Sequence, residues 1–346
     1  MHVTGLTERE IRVLEAIVQS YVETAEPVGS RTLAKRFGLG VSAATIRNAM
    51  SDLEDKGYLF HPHTSAGRVP TDRAYRLYVD TLMTEPPQVS YEHRERIRDG
   101  LHGENSAVNG VLRRAAEVLG VLTQELGVAV APSLDDVILE RLDLVAVSSE
   151  RLLLVLTLKS GMVRTIFVHV TGHLHPDAVA KVTVMLNERL AGLTLREIRQ
   201  TLSLRLRDVG TAGTEGELID IFLATGEQIF DLPAENDDVV LGHTSVLADQ
   251  PEFASGERMR ALIELTEQRD VLKRILGSRS TTGSLTITIG GENETRQLSN
   301  LTLVTAPYRA GPLMGVIGVL GPTRMPYEKV VALVEHTSQM VGQLLR

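Results

Sequence analysis

Ile11, Leu14, Val18 and Tyr21 recur at helical spacing, and Thr7-Glu-Arg-Glu10 just before them reads as a capping box. In such a box the Thr hydroxyl and the Glu carboxylate satisfy the first free amides of a helix. The pattern predicts a helix to about Thr24, where Glu26-Pro27-Val28-Gly29 breaks it. Ser30 is placed to cap a short helix over 31–37, which Gly38 ends through a left-handed residue. Ser42 then caps a third helix that stops at Gly57. On that helix Ile46, Met50 and Leu53 share one face and must bury, which turns Ala44, Asn48 and Ser51 outward with Arg47 beside them and Thr45 on the flank.

Helix, short helix, tight turn and helix is the helix-turn-helix layout. Residues 58–60 and 68–70 have strand character around a turn-rich 61–67, so a hairpin follows the third helix as a wing would. A helix capped near Thr71 leads out to Pro86-Pro87, and 89–103 is a charged, helical connector. Further on, the periodicity predicts a helix over 107–126, strands over 137–147, 151–157 and 162–170, and helices over 176–190, 194–202 and 215–230. Thr194 and Glu197 form a second capping box. Late strands are expected at 284–289, 301–308 and 313–320, with a closing amphipathic helix over 326–345. The fold class is α+β and multidomain.

Composition narrows the function. With 346 residues the chain suits two or three domains. It has no cysteine, which removes disulfides, thiolate metal sites and cysteine nucleophiles and suits a reducing cytoplasm. No apolar run approaches a membrane span, and acidic residues from Glu8 onward do not fit a signal peptide. The net charge of −8 argues against nucleic acid until it is mapped. From Arg31 to Arg76 eight Lys/Arg face four Asp/Glu, so a segment of +4 sits on a remainder of −12.

Arg and Asn are the usual bidentate partners of guanine and adenine, so Arg47 and Asn48 are candidates for base contacts, with Ala44 and Ser51 shaping the fit. Ser30, Arg31, Ser42 and Thr45 are candidates for the phosphate backbone, and His63, Ser65 and Arg68 for contacts of the wing. The competing reading of the first eighty residues is a small helical bundle that binds protein or nothing. His61 and His63 have no carboxylate or third His at ligand spacing nearby, and His169, His173 and His175 straddle a strand end and a loop with Gly172 and Pro176, so neither a metal nor a cofactor is expected. Neither Gly290-Gly291 nor 277–284 ends as a phosphate loop does, and no nucleophile–base arrangement stands out, so no catalysis is expected.

Three stretches are more specific than a generic winged helix: Pro-Val-Gly-Ser-Arg-Thr-Leu at 27–33, Ser-Ala-Ala-Thr-Ile-Arg-Asn-Ala-Met-Ser-Asp-Leu-Glu at 42–54, and His-Thr-Ser-Ala-Gly-Arg-Val-Pro-Thr-Asp at 63–72. Together they resemble the heat-inducible transcription repressor HrcA family, and length and layout extend the resemblance over essentially the whole chain. The resemblance implies a homodimeric bacterial repressor. Its target would be a double-stranded inverted repeat (the CIRCE element) upstream of chaperone operons, and a GroEL-type chaperonin would keep it active. It also implies an N-terminal winged helix-turn-helix at 1–85, a linker at 86–104, and a GAF-like domain in two parts, 105–175 and 251–346. A mainly helical dimerisation module at 176–250 would interrupt that domain. The alternative function is a regulator whose GAF-like domain binds a small molecule.

Overall fold

The computed structural model describes residues 5–62, 67–83, 88–103, 108–132, 137–148, 150–159, 161–170, 175–207, 214–230, 239–279, 283–311 and 313–345. It is a mixed α+β structure of two compact units, the first made of Met1–Ala131, Val239–Tyr308 and Gly315–Leu345, the second of Pro132–Asp238 with Arg309–Met314.

The first unit starts with three helices, α1 (Glu8–Thr24), α2 (Ser30–Arg36) and α3 (Ala43–Asp55). The Thr7–Glu10 capping box forms, with Thr7 N donating to Glu10 Oε2 at 2.6 Å and Glu10 N to Thr7 Oγ1 at 3.3 Å. Lys56 reaches back to the same carboxylate, its Nζ 2.6 Å from Glu10 Oε1, and so ties the end of α3 to the start of α1. Leu14, Ile17, Val18, Leu33, Ile46 and Leu53 are fully buried and fasten the three helices together. Strands β1 (Leu59–Phe60) and β2 (Val69–Pro70) pair antiparallel, and Arg68 bridges to Val28 through two backbone hydrogen bonds of 2.9 Å. Thr71 caps α4 (Asp72–Leu77), which continues to Leu82 as a wider turn, with Met83 N donating to Tyr78 O.

The rest of this unit is built on a five-stranded sheet. Helices α5 (Tyr91–Leu101) and α6 (Val108–Thr123) precede β3 (Leu126–Val130). After the second unit come β7 (Val239–Leu241), α10 (Gly256–Glu267), α11 (Arg269–Gly277), β8 (Thr286–Ile289), β9 (Leu301–Ala310), β10 (Leu313–Pro322) and α12 (Tyr327–Leu344). The strand order is β7-β3-β10-β9-β8, with β3 antiparallel to both its neighbours. Leu126, Val128 and Val130 pack with Leu262, Leu265, Leu272 and Leu276 of α10 and α11. The alternate side of β3 lies against α6, so close that a Cβ on Gly127 would come 1.8 Å from the Ala116 carbonyl oxygen.

The second unit holds β4 (Leu139–Ser148), β5 (Arg151–Leu158) and β6 (Val163–His169), then α7 (Pro176–Leu190), α8 (Leu195–Leu206) and α9 (Thr214–Phe230). The strands make an antiparallel sheet of order β4-β5-β6. Leu152, Leu154, Leu156 and Leu158 alternate into a core with Leu186, Leu190, Ile198 and Phe222 of the helices. Asn187 of α7 clasps β4: its Oδ1 accepts from Leu142 N at 2.9 Å, and its Nδ2 donates to the carbonyl of the same residue. The opposite face of the sheet is largely uncovered, with Val145 and Phe167 exposed on either side of half-buried Leu153, and Val147 and Val163 also exposed.

Three expectations need correction. The strands at 137–170 do not join the late strands in one sheet; they pair among themselves and bury their leucines against α7–α9, so the second unit opens at 132 rather than 176 and is half sheet. Its far border moves too, because β7 pairs with β3 of the first unit. The segment 86–104 is not a bare linker, since α5 docks on α6 through buried Ile97 and Leu101.

Candidate nucleic-acid interface

Ser42 caps α3 as expected, accepting from Thr45 N at 3.2 Å, while its hydroxyl lies 3.0 Å from that of Thr45. The turn before it runs through Gly38 at φ +54° and Gly40 at φ +70°, conformations that cost a residue with a Cβ. Ile46, Ala49, Met50 and Leu53 are buried. Ala44, Arg47, Asn48 and Ser51 are exposed on the opposite face, together with Ser42, and Thr45 is half-buried. The sequence-predicted face is therefore assembled on one helix.

Two assignments on the flanks change. Ser30 is buried as the first residue of α2, whose cap is Gly29, so its hydroxyl is not presented to a ligand. Arg68 is not a free cation: its Nη2 lies 2.6 Å from Glu54 Oε2, with only 15% of the side chain exposed. His61 Nδ1 takes the other Glu54 oxygen at 2.9 Å. His63 and Ser65 lie outside the described residues.

The basic segment divides sharply by partner. Arg36 pairs with Glu23, Lys56 with Glu10, Arg68 with Glu54, and Arg76 with Asp80 and Glu292. Arg73 stacks over the Tyr58 ring at 4.5 Å and donates to the Lys56 carbonyl. Arg31, Lys35 and Arg47 are exposed and, among the described residues, have no carboxylate partner. Arg9 and Arg12 of α1 are likewise exposed and unpaired, and they line an open groove with Gly38, Leu39 and Gly40 of the α2–α3 turn. The sequence did not single out Lys35, Arg9 or Arg12: Lys35 is one of eight cations in the 31–76 segment, and Arg9 and Arg12 lie outside it. Only the partners separate a structural arginine from an available one.

Five unpaired cations on α1, α2 and α3, together with the small polar face of α3, can hold a polyanion and touch base edges. Comparison with known proteins agrees. Residues 109–331 match the family model described as HrcA protein C terminal domain. Proteins named heat-inducible transcription repressor HrcA are similar over almost the whole chain. That of Chlorobium phaeovibrioides is 40% identical, covering 98% of each chain. That of Chlorobaculum tepidum is 39% identical, covering 100% of this chain and 99% of the relative. That of Syntrophobacter fumaroxidans is 35% identical, covering 99% and 98%. A crystal structure described only as that of a hypothetical protein shares the fold with a TM-score of 0.55 at 23% identity, over 98% of both chains. The class is thus that of transcription repressors, not enzymes. The chain belongs to the HrcA family of heat-inducible transcription repressors. Among the described residues no helix is long and apolar enough to cross a membrane.

Proposed function

We propose that the chain represses transcription as a homodimer that reads a double-stranded inverted repeat of the CIRCE type. The observation that carries this reading is the exposed Ala44–Arg47–Asn48–Ser51 face of α3 with unpaired, exposed Arg31 and Lys35 on α2, the helix packed against α3. In this reading α1–α3 with β1–β2 are a winged helix. The N-terminal half of α3 enters the major groove, where Arg47 and Asn48 meet base edges. Arg31, Lys35, Ser42 and Thr45 follow the phosphates, joined by Arg9 and Arg12, and the wing tip with His63 and Ser65 touches the backbone. Arg68 shapes the wing instead of touching DNA. The five-stranded sheet with helices on both faces is the GAF-like body.

An inverted repeat has two-fold symmetry, so the reader is expected to be a symmetric dimer with half-sites a whole number of helical turns apart. The uncovered β4-β5-β6 face suits the contact: Val145, Leu153 and Phe167 lie abreast across three strands, and Val163 is exposed further along β6 on the same face. Heat inducibility is explained if a GroEL-type chaperonin maintains the active form, because a chain of two aliphatic units is prone to partly folded states once warmed. Fluorescence anisotropy with a labelled inverted repeat and a scrambled duplex, at two salt concentrations, tests the core of the proposal. Tight binding to the repeat alone is expected. Equal, salt-sensitive binding to both, persisting after chaperonin treatment, would refute it.

A further inference from the structure

Within the first unit a cavity of about 510 Å³ opens where α1, β2 and α4 meet α10 and the end of β10. That volume lies in the usual range for small-molecule sites. Its walls are mainly aromatic and aliphatic, with Tyr21, Phe60, Tyr75, Phe253 and Leu262 among them.

The charges at its rim are unequal. Glu252 is spent on Arg324, which grips both its oxygens at 2.6 and 2.9 Å and also donates to Val22 O of α1 at 2.9 Å. Asp72 is spent on the Gly291 amide at 2.9 Å. The guanidinium of Arg258, also on the wall, donates only to the Glu252 carbonyl at 3.3 Å and pairs with no carboxylate among the described residues. Tyr75, a lining residue only 2% exposed, has a buried hydroxyl with no hydrogen-bond partner. The Tyr75 ring therefore contributes apolar wall, with its hydroxyl sealed behind it.

We propose that this cavity is a binding site for a small aromatic monoanion, a carboxylate whose ring lies between Tyr21, Phe60 and Phe253 and whose charge meets Arg258. Such a ligand would touch the DNA-reading elements through Tyr21 and Tyr75 and the sheet body through α10. The inference goes beyond the repressor reading and does not depend on it.

The test uses the full chain without DNA, with 2-naphthoate as ligand and 2-naphthalenemethanol as its neutral counterpart, read by calorimetric titration and thermal melting. One naphthoate per chain is expected, with a raised Tm. Ala261→Trp, which fills the cavity, should abolish binding of both molecules. Arg258→Ala should weaken naphthoate about tenfold or more while leaving the alcohol unchanged. Should Ala261→Trp show no thermal transition, Phe60→Ala, at a wall position 45% exposed, must weaken both ligands instead. Absence of saturable naphthoate binding, or binding indifferent to the wall substitutions, overturns the site. Equal loss of both ligands in Arg258→Ala overturns the anionic class.

Discussion

Arg68 and Glu54 are bound to each other, Nη2 to Oε2 at 2.6 Å, with His61 on the second carboxylate oxygen. The returning strand of the hairpin is thereby pinned to the last turn of α3, and the wing is positioned by the helix it accompanies. Arg68→Ala is expected to destabilise the fold by about 1–3 kcal/mol, the cost of leaving a partly buried charge without its partner. The salt dependence of DNA binding should not change. Chemical denaturation gives the first quantity and titration at several salt concentrations the second; a slope reduced by about one would instead mark Arg68 as a phosphate contact.

Arg47 and the α2 cations should separate by sequence dependence. Arg47→Ala is expected to cost about 1–3 kcal/mol on the inverted repeat and much less on scrambled duplex. Arg31→Ala and Lys35→Ala should weaken both duplexes alike, each lowering the salt slope by about one. The same anisotropy titration measures all three. Equal losses for Arg47→Ala on the two duplexes would demote it to a backbone contact.

The uncovered sheet face gives a prediction about assembly. Phe167 is 61% exposed on β6, at one end of the apolar row it forms with Leu153 and Val145, so Phe167→Glu should cost little in monomer stability. Placed in a self-contact, however, the new carboxylate would be buried against apolar side chains with no partner for its charge. Sedimentation velocity is expected to show a shift from dimer to monomer, with affinity lost for the two-half-site duplex and retained for a single half-site. An unchanged sedimentation coefficient would move the dimer contact elsewhere.

Arg76 of α4 donates through Nε to Glu292 Oε1 at 2.7 Å and through Nη2 to Ile287 O at 2.7 Å. Burial alone would raise the Glu292 carboxyl, but Arg76 and the Ile289 amide outweigh it and hold the group below its ordinary 4.5. A carboxylate depressed in the folded state contributes stability above its unfolded value, and that contribution is lost as pH falls through the folded value. Urea denaturation between about pH 6 and pH 3 should show this loss below about 4.5 in the parent chain and a shallower fall in Glu292→Gln. Parallel curves would mean that other carboxylates dominate the acid response.

The helical head was legible because its signals are local. Thr7 with Glu10, Ser42 and Gly38 each act within four residues of where they stand. The body was less legible at β3. Helix α6 ends through Gln124 at φ +62°, a left-handed residue where a sequence usually shows Gly or Asn, so nothing separated the helix from the apolar run Leu-Gly-Val-Ala-Val. Which sheet a strand joins is a question of distant partners: β4–β6 carry the alternation that either sheet would accept. The candidate interface shows the same division, since Arg47 faces outward by helix phase alone, whereas Arg68 is claimed by a glutamate on another element.

The pairing of residues 126–130 with 316–320 also sets an order of events during synthesis. At roughly 5–20 residues per second, β3 leaves the ribosome about 10–40 s before the strand that completes it. The three-helix head and the 132–238 unit each have most of their partners by then, while β3, all five of whose residues are buried in the finished sheet, has none of β10 to cover it. Every newly made chain therefore carries an open apolar strand edge until residues 316–320 arrive, and a shortage of sheltering capacity is felt first by the copies still being made.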